Sequence, residues 1–562
     1  MHHLFAKCQE MADPTKQSDF FQEWRSDVEQ IGWPMLNPNW NDNLFDLTGL
    51  LRKTAVINLD NGFTINYGIF SLLIPVARKV FIGANSPHAT NFYEIQKVLN
   101  TIFPESSRPA HLDMLREVQE VHWFGLELQK IDALTPQRHI LDVENNYEAL
   151  KAAFPGLNFD YLISDLLSNH VLSWNKIKNK IYGARGFLEK APHINTLVQN
   201  YKRAAGNYFV YQYVRNSYIY GATLEKSKCE QLVPLFLPLP SLRVFVRNHF
   251  DKEAIKDVDN LVESIRSSFI EMLQNSEWAH EKLKNGAIRK AKIMKKLISY
   301  PQELETPGAL DKHFNIHLDS SVSYYWTMKR IERASINPLL DYVSSDFPMN
   351  PVFGFMSNAV YTRADNTINV LAPIMDEPLF HTSFPNYAKI AGIGFVIGHE
   401  IGHGFDAEGI LFDENGKQQI LFDGNDSMEY AKKITCLINQ YNNYDDPSFG
   451  RKLNGSTTIM ELLADEIGQD AAWRTFKKLD LSQEKKIIGF EDLSFEKLYF
   501  RIGALKWCSP RSPLTLEDQL KQVHATTSFR VNGVFANEKG FAEAFNCSAG
   551  SPMNPVKKCT MF

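Results

Sequence analysis

Two histidines stand four residues apart in the stretch VIGHEIGHGFDAEG, residues 396–409, with a glutamate directly after the first. On a helix, positions i and i+4 lie one turn apart on the same face, so His399 and His403 can bind one metal ion. Glu400 projects about 100° away from His399, where it can reach a metal-bound water without binding the metal. The pattern predicts a zinc site with a general base. The alternative interpretation is a pair of hydrogen-bonded core histidines without a metal.

A third ligand must come from another element, because a catalytic zinc ion usually has three protein ligands and one open position. The best candidate is Glu461 in the stretch ELLADEIGQD, and Asp465 lies one turn further along the same predicted helix. Glu461 can bind the metal while Asp465 accepts a hydrogen bond from the outer nitrogen of a ligand histidine. Asp406, three residues after His403, can orient a histidine in the same way. The alternative is a solvated acidic face, which is disfavoured because apolar residues flank both carboxylates of the ELLADEIGQD stretch.

The elements that must position these residues divide the chain into two parts. Residues 1–322 are predicted to be mostly helical, as in NLVESIRSSFIEMLQ, whose apolar residues share one helix face. Beyond them, two β-prone runs flank residues 364–366 and predict a hairpin, and NYAKIAGIGFVIGHEIGHGF predicts a buried helix. We therefore predict a mainly α protein with a small β component, composed of a helical lobe, 1–322, and a second lobe, 323–562. All of the candidate chemistry lies in the second lobe.

Composition and charge indicate which kinds of binding partner are not expected for this chain. The 562-residue chain has a formal net charge of −5 and a hydrophobic fraction of 44%, as in an ordinary globular protein. It has no basic block and no apolar run long enough to span a bilayer, so neither nucleic acid nor a membrane segment is expected. The first residues, MHHLFAKCQEMADPTKQ, show no signal-peptide pattern. N-x-S sequons begin at Asn425, Asn454 and Asn546, and they predict a glycoprotein only if the chain is exported.

The order and spacing of the motifs resemble the neprilysin and endothelin-converting-enzyme family of zinc metallopeptidases. GHEIGHGFD followed by ELLAD resembles the metal motifs of that family, and NAVY with NTINVLAPIMDEPLF resembles its substrate-binding edge strand. HATTSFRVNG resembles the segment that holds a transition-state histidine and a substrate arginine. The stretches EWAHEKLKNGAIRKAKIMKKLISYP and AFNCSAGSPMNPVKKCTMF agree as well. The resemblance covers nearly the whole chain and implies a thermolysin-like catalytic lobe beside a large helical lobe that encloses a substrate chamber.

The resemblance implies a monomeric, zinc-dependent endopeptidase that cleaves small peptides on the amino side of large apolar residues. Three side chains would hold one Zn²⁺ ion: His399, His403 and Glu461. Glu400 would be the general base, and His524 would donate a hydrogen bond to the oxyanion. Asp465 would fix a ligand histidine, and family accounts also give it a proton-donor role. The competing functions are a zinc-binding homologue that binds peptides but turns them over weakly, and a structural helical protein with a vestigial site.

The same resemblance assigns the substrate contacts. Asn358 and the backbone of Ala359 would hold the peptide as an added strand, and Arg530 would bind a substrate carbonyl. The alternatives are a capping asparagine and a surface arginine. Six residues match the pocket for the side chain after the scissile bond: Ile374, Leu379, Phe395, Val396, Lys506 and Trp507. Relatives place an aliphatic residue at Lys506, whose ammonium either faces the pocket and favours an acidic or carbonyl group or extends to solvent.

Other departures from the family pattern surround the metal motifs. Gly402 stands where relatives have threonine in the middle of the zinc helix. Leu462 and Ile467 replace an asparagine and a glycine beside the third ligand, while both carboxylates remain. Gln522 replaces an aspartate two residues before His524, which would weaken the orientation or basicity of that imidazole.

The six cysteines are scattered without a C-x-x-C pair, which disfavours a zinc site built from thiolates. The resemblance implies two disulfide bonds, Cys8 with Cys229 and Cys436 with Cys559. Cys508 and Cys547 match positions whose partners lie in an upstream segment of the relatives, so we expect both to be free thiols, or to pair with each other if they lie close enough. We also expect the chain to be a shortened form of a longer extracellular or membrane-anchored protein, and less active than that form.

Overall fold

The computed structural model defines two compact units in the chain. It describes residues 1–13, 15–58, 64–76, 79–84, 91–134, 143–144, 147–167, 177–222, 228–314, 316–344, 355–417, 419, 424–508 and 514–562. The first unit comprises Met1–Arg243 and Gln302–Phe355, and the second comprises Val244–Pro301 and Met356–Phe562. The predicted mainly α fold with a small β component is confirmed, since helices dominate both units.

The two units differ from the single predicted boundary at residues 322 and 323. Val244–Pro301 folds with the second unit, and Gln302–Phe355 folds with the first. The reason is the strand Lys295–Ser299, which pairs in parallel with Thr367–Leu371 and so belongs to a sheet of the second unit. Helical periodicity shows which residues form a helix, but it does not show against which sheet or helix the segment packs.

The first unit combines many helices with one sheet. Its α-helices are His2–Met11, Gln17–Ile31, Leu47–Thr54, Phe92–Ile102, Met114–Ala133, Tyr147–Ala153, Phe159–Leu167, Arg185–Asn200, Lys202–Ala222, Cys229–Phe236, Ala309–Phe314, Tyr324–Ala334 and Ile336–Ser344. Pro238–Asn248 lies across the boundary between the units. The predicted Cys8–Cys229 bridge is present, with the two Cα atoms 5.7 Å apart.

The sheet of the first unit was not predicted from the sequence. Its strands are Val56–Asn58, Thr64–Asn66, Phe70–Val76, Lys79–Ala84, Val143–Glu144 and Ile181–Ala184. The first four run antiparallel in chain order, and Ile181–Ala184 pairs in parallel with Lys79–Ala84. Strands this short carry few alternating positions, and the parallel partner comes about a hundred residues later in the chain, so local patterning does not indicate it.

The second unit contains the candidate chemistry. Its α-helices are Glu253–Gln274, Glu281–Ile293, Asn386–Lys389, Phe395–His403, Gly424–Asn442, Gly455–Lys477, Phe495–Leu505, Leu516–Leu520, Thr527–Asn537 and Lys539–Phe545, and Ile390–Gly394 is a π-helix. A three-stranded sheet has Thr367–Leu371 in the centre, between Lys295–Ser299 and Ala359–Thr362. Ala359–Thr362, the edge strand, pairs antiparallel with the central strand, and the turn between them ends at Asn366 with φ of +47°. The predicted hairpin is therefore confirmed.

Two helices of this unit pack at very short range. Phe395–His403, the histidine helix, contacts Gly455–Lys477, the glutamate helix, through residues without bulky side chains. A Cβ atom on Gly398 would lie 2.7 Å from the carbonyl oxygen of Gly468, and one on Gly402 would lie 2.8 Å from Cα of Ala464. Gly402 therefore permits a close backbone approach that a threonine at this position would obstruct.

The second unit also contains a disulfide bond and two free cysteines, and the apolar helices of the chain were compared with the length of a membrane span. The predicted bridge between Cys436 and Cys559 is present and ties the last residues to the helix Gly424–Asn442. Cys508 and Cys547 are free thiols. Across the described residues, no single helix is long and apolar enough to cross a bilayer, and only the bent pair Cys229–Phe236 with Pro238–Asn248 meets that criterion jointly.

Candidate metal centre and substrate pocket

The two packed helices bring three metal-ligating side chains to one point. The imidazole rings of His399 and His403 are 4.6 Å apart between centroids, because they lie one turn apart on the histidine helix. Glu461 reaches them from the glutamate helix, with Oε2 3.3 Å from Nε2 of His399 and Oε1 3.6 Å from Nε2 of His403. One ligand atom from each residue lies within 4.8 Å of the others.

The donor set fits a zinc ion. Two imidazole nitrogens and one carboxylate oxygen are ligands that zinc accepts, and three ligands leave one position open for chemistry. Glu461 Oε2 is a buried oxygen that accepts no hydrogen bond from any described residue, although imidazole nitrogens lie nearby. A buried carboxylate oxygen left in this state is well suited to bind a cation.

Each ligand histidine is oriented by a carboxylate behind it. His399 Nδ1 lies 2.8 Å from Asp465 Oδ1, and His403 Nδ1 lies 2.8 Å from Asp406 Oδ2. Both aspartates are fully buried. Because the carboxylate occupies Nδ1, the Nε2 atom of each ring is directed to the point that the three ligands share.

Each of these aspartates is in turn held by an arginine. Arg530 donates from Nε and Nη2 to the two oxygens of Asp465, both at 2.7 Å. Arg363 contacts Asp406 at 3.1 Å and Glu408 at 2.8 Å. Sequence analysis singled out Arg530 as a substrate contact and missed Arg363 altogether. The available signal for Arg363 was its place directly after a β-prone run, which gives no indication of its partner.

Burial and neighbouring charges act in opposite directions on these groups. Burial lowers the pKa of His399, but Asp465 and Glu461 outweigh it and raise that pKa to about 9. Burial opposes ionisation of Asp465, yet Arg530 and His399 hold the pKa of that carboxyl far below its ordinary range. The pKa of Glu461 is likewise lowered, since the histidines outweigh its burial. A metal ion and a proton compete for His399, because a ligand imidazole must be neutral.

The candidate base and oxyanion donor lie beside the ligands. Glu400 is 6% exposed and lines the same cavity as the ligand histidines. His524 Nε2 is 3.2 Å from Glu461 Oε2, and the His524 side chain is 56% exposed. Burial lowers the pKa of His524, which favours its neutral form. Gln519 donates to the backbone carbonyl of His524 at 3.3 Å, so this segment is anchored independently of Gln522.

A cavity of about 450 Å³ adjoins the ligands and includes every substrate contact that the sequence suggested. The lining residues from that set are Asn358, Ala359, Ile374, Leu379, Phe395, Val396, Lys506, Trp507 and Arg530. Val360 and Tyr361, which belong to the NAVY stretch, also line it, and so does Arg363, which the sequence did not indicate. The edge strand thus forms one wall of the cavity, where an extended peptide can pair with its backbone.

Lys506 lies against the cavity wall. Its Nζ atom is 3.3 Å from the centroid of the Phe395 ring and donates a hydrogen bond to the carbonyl oxygen of Ala391 at 3.3 Å. The guanidinium of Arg530 stacks on Trp507, with Cζ 4.0 Å from the ring centroid. Burial lowers the pKa of Lys506 well below its ordinary value.

Lys290 is a further buried cation that the sequence analysis did not identify. It has no exposed surface, and its Nζ atom donates to the carbonyl oxygens of Gly404, Gly409 and Phe412 at 2.6–2.9 Å. These carbonyls belong to the loop that follows the histidine helix and carries Asp406. Lys290 therefore fixes the backbone of the loop that orients His403.

Comparison of this chain with models of known protein families shows the family to which it belongs. Models of Peptidase family M13 match residues 93–301 and residues 358–561, which together span more than half of the chain. The chain belongs to Peptidase family M13. The resemblance drawn from the motifs is confirmed at this level.

Individual relatives are distant in sequence. Neprilysin-11 of Caenorhabditis elegans is 29% identical over 343 residues, covering 59% of this chain and 40% of its own length. Membrane metallo-endopeptidase-like 1 of Mus musculus is 25% identical over 595 residues, covering 94% of this chain and 76% of its own length. The chain thus spans less than half the length of the nematode relative.

A solved structure shares the fold. The zinc metalloprotease Zmp1 of Mycobacterium tuberculosis, in complex with an inhibitor, matches with a TM-score of 0.73 at 16% identity. The match covers 100% of this chain and 88% of that one. At this identity the likeness concerns the two-part fold.

Proposed function

We propose that the protein is a zinc-dependent metalloendopeptidase that hydrolyses small peptides. The observation that carries the proposal is the convergence of His399, His403 and Glu461 beside a cavity that also contains Glu400. Family membership supports a metallopeptidase. When bound, a zinc ion supplies Lewis-acid chemistry, which polarises the scissile carbonyl and makes water acidic enough to react near neutral pH.

The side chains around the site have separate roles in the proposed reaction. Glu400 accepts a proton from the attacking water and passes it to the leaving amine. His524 donates a hydrogen bond to the oxyanion, where negative charge develops only as the reaction proceeds. Asp465 acts as a positioning residue, because His399 and Arg530 together contact both of its carboxylate oxygens. We assign no proton-donor role to it.

The edge strand and the cavity fit a peptide substrate. Asn358 and the backbone of Ala359 stand where an added strand would pair, and Arg530 lines the same cavity. The cavity walls at Ile374 and Leu379 are apolar and suit a large side chain after the scissile bond. The restriction to small peptides and the monomeric state rest on family resemblance and stay predictions.

We also propose an extracellular setting. Two disulfide bonds are present, and such bonds persist in oxidising compartments. The sequon at Asn454 lies on an exposed helix cap. Expression with and without a secretory leader, followed by mass analysis of Asn454, tests this setting, and formation of both bridges only in the reducing cytosol would contradict it.

The test of function is hydrolysis of internally quenched peptides, together with the metal content of the purified protein. We expect about one zinc ion per chain, turnover that a chelator abolishes, and recovery of turnover when zinc is returned.

Glu400→Gln should keep the zinc and lose activity by more than the 10²–10⁴-fold that roughly accompanies removal of a general base, since Glu400 also positions the water. Glu461→Ala should lose the metal. Activity of Glu400→Gln within tenfold of wild type, or a zinc-loaded Glu461→Ala, would contradict the assignments.

A further inference from the structure

The cavity beside the candidate ligands is lined by a lysine, Lys506, whose ammonium group lies against aromatic rings. The Lys506 ammonium lies on the face of Phe395, a residue of the histidine helix, and the neighbouring Trp507 ring is 5.7 Å from the same nitrogen. The hydrogen bond to the Ala391 carbonyl holds the ammonium on this wall. The side chain therefore brings its charge into the lining of the cavity, and the alternative of a stem on the wall with the charge in solvent does not describe this arrangement.

Three cations line the cavity, Arg363, Lys506 and Arg530, and they differ in how their charge is balanced. Arg363 is paired with two carboxylates, those of Asp406 and Glu408. Arg530 is paired with Asp465 through two hydrogen bonds. Among the described residues, no carboxylate lies within ion-pair distance of Lys506, whose contacts are a carbonyl oxygen and aromatic faces. Asp465, the nearest buried acid in electrostatic terms, has both oxygens occupied by His399 and Arg530.

A half-buried cation without a counter-charge favours a ligand that supplies one. The apolar side chains of Ile374 and Leu379 line the same cavity, so a substrate side chain there gains from a hydrocarbon stem and, beside Lys506, from an anionic end. Glutamate has both properties, whereas leucine has only the first and leaves the ammonium unpaired. Polar groups left unpaired by the wrong substrate are the strongest source of discrimination in such pockets.

We propose that Lys506 makes this cavity select peptides with an acidic side chain, glutamate above all, directly after the scissile bond. This inference rests on the proposed function, since it names the substrate class of the same site. It differs from the preference for large apolar residues that family resemblance implies. The difference depends on Lys506, at a position where the family resemblance implies an aliphatic residue.

The experiment uses three quenched peptides that are identical except for Glu, Gln or Leu after the scissile bond, with amidated C-termini and the cleavage site verified by mass spectrometry. For wild type we expect kcat/KM to be about tenfold or more higher for Glu than for Gln, the scale of a hydrogen bond to a charged group. Lys506→Met keeps the length of the side chain and removes the charge, so the Glu/Gln ratio should fall to near one. Lys506→Arg should retain most of the ratio.

Lys539→Met is the matched control, because Lys539 is a surface lysine whose side chain is 84% exposed. Its Glu/Gln ratio should equal that of wild type. A ratio that is unchanged in Lys506→Met, or that falls equally in Lys539→Met, would overturn the proposal. A preference that appears only with a free peptide C-terminus would also overturn it, since the carboxylate recognised would then be the chain end.

A binding measurement separates this inference from the proposed function. In the Glu400→Gln background, fluorescence anisotropy with the same peptides should show tighter binding of the Glu peptide, and Lys506→Met should remove the difference. If wild type hydrolyses none of the peptides yet this binding preference is present, the proposed function fails, and recognition of an acidic side chain by Lys506 stands as a binding property. If wild type hydrolyses all three at similar rates and binds them equally, the function stands and the inference fails.

Discussion

At the scale of single residues, the site contains two similar series of side-chain contacts. One runs from His399 through Asp465 to Arg530, and the other from His403 through Asp406 to Arg363. In each series a candidate ligand histidine is oriented by an aspartate, and the charge of the aspartate is balanced by an arginine. The two histidines are therefore held in position before a metal binds, which reduces the ordering that binding requires.

Asp406→Asn tests this arrangement. The amide still fills the space, but it carries no charge for His403 and leaves Arg363 without its buried partner. We expect zinc affinity, measured by competition with a chromophoric chelator, to fall about 10- to 100-fold, the usual effect of removing such a partner. Glu408→Gln removes the more exposed carboxylate next to Arg363 and should change affinity little. Equal losses in the two variants would show that the effect comes from Arg363 and not from His403.

Glu538 offers a test of charge burial away from the metal. Burial and the nearby Asp470 raise the pKa of Glu538 to about 7, above its ordinary value of 4.5. Between those two values the unfolded chain has released a proton that the folded chain retains, so this residue makes stability fall as the pH rises through the window. Glu538→Gln should therefore raise Tm relative to wild type more at pH 8 than at pH 5. Tm differences that are equal at the two pH values would contradict the raised pKa.

The sequence predicted part of this site well and part of it not at all. The pairing of His399 with His403 follows from helix geometry, which fixes the distance between positions i and i+4 whatever the fold. Glu461 was inferred from chemistry and resemblance, because a catalytic zinc ion would require a third ligand from another element. Arg363 and Lys290 were missed, since their partners are a carboxylate and backbone carbonyls far along the chain, and no local pattern encodes such contacts.

At the scale of elements, the distance between the histidine helix and the glutamate helix sets the ligand geometry. Positions 398 and 468 face each other without side chains, and residues 402 and 464 repeat the contact one turn later. The ligands therefore depend on backbone approach, as well as on their own rotamers. The sequence showed the glycines, but it did not show that they face a second helix.

Gly398→Ala should separate these helices. The new Cβ would lie 2.7 Å from the Gly468 carbonyl oxygen and 2.9 Å from its Cα, and backbone atoms cannot move aside as a flexible side chain can. We expect a loss of about 1–3 kcal/mol in the free energy of unfolding, typical of overpacking, with weaker zinc binding. Gly424→Ala is the control, because a Cβ there has no atom within 4 Å. Unchanged stability in Gly398→Ala, measured by urea denaturation, would exclude the close approach.

At the scale of the whole molecule, the chain exchanges segments between its two units. Val244–Pro301 contributes a strand to the sheet that carries the edge strand, although it precedes the segment Gln302–Phe355 of the first unit. The sequence indicated a change of character near residue 322, where strand-forming patterns begin, and this change does not coincide with any of the three crossings, which follow residues 243, 301 and 355. Local patterning shows where strand-forming segments begin, but it does not show which unit a preceding helix joins.

The cysteines give the prediction that belongs to this scale. Thiol titration of the denatured, unreduced protein should find two free thiols, and mass spectrometry should assign them to Cys508 and Cys547. Each bridge closes a loop of more than a hundred residues, so a Cys436→Ser variant should lose about 4–5 kcal/mol in the chain-entropy model. In the thiol titration we expect four cysteines in disulfide bonds and two that react with the alkylating reagent. A disulfide bond between Cys508 and Cys547 would contradict this expectation.

The bridge between Cys436 and Cys559 also has a topological consequence. It closes a covalent ring of the chain that contains Glu461, while the two ligand histidines lie outside the ring. A single proteolytic cut anywhere within the ring opens the circle but leaves every fragment attached, so the protein keeps its full mass on a non-reducing gel. Only reduction releases the pieces. A preparation that looks intact without reductant can therefore carry a break between Glu461 and His524, and gels run with and without reductant would reveal it.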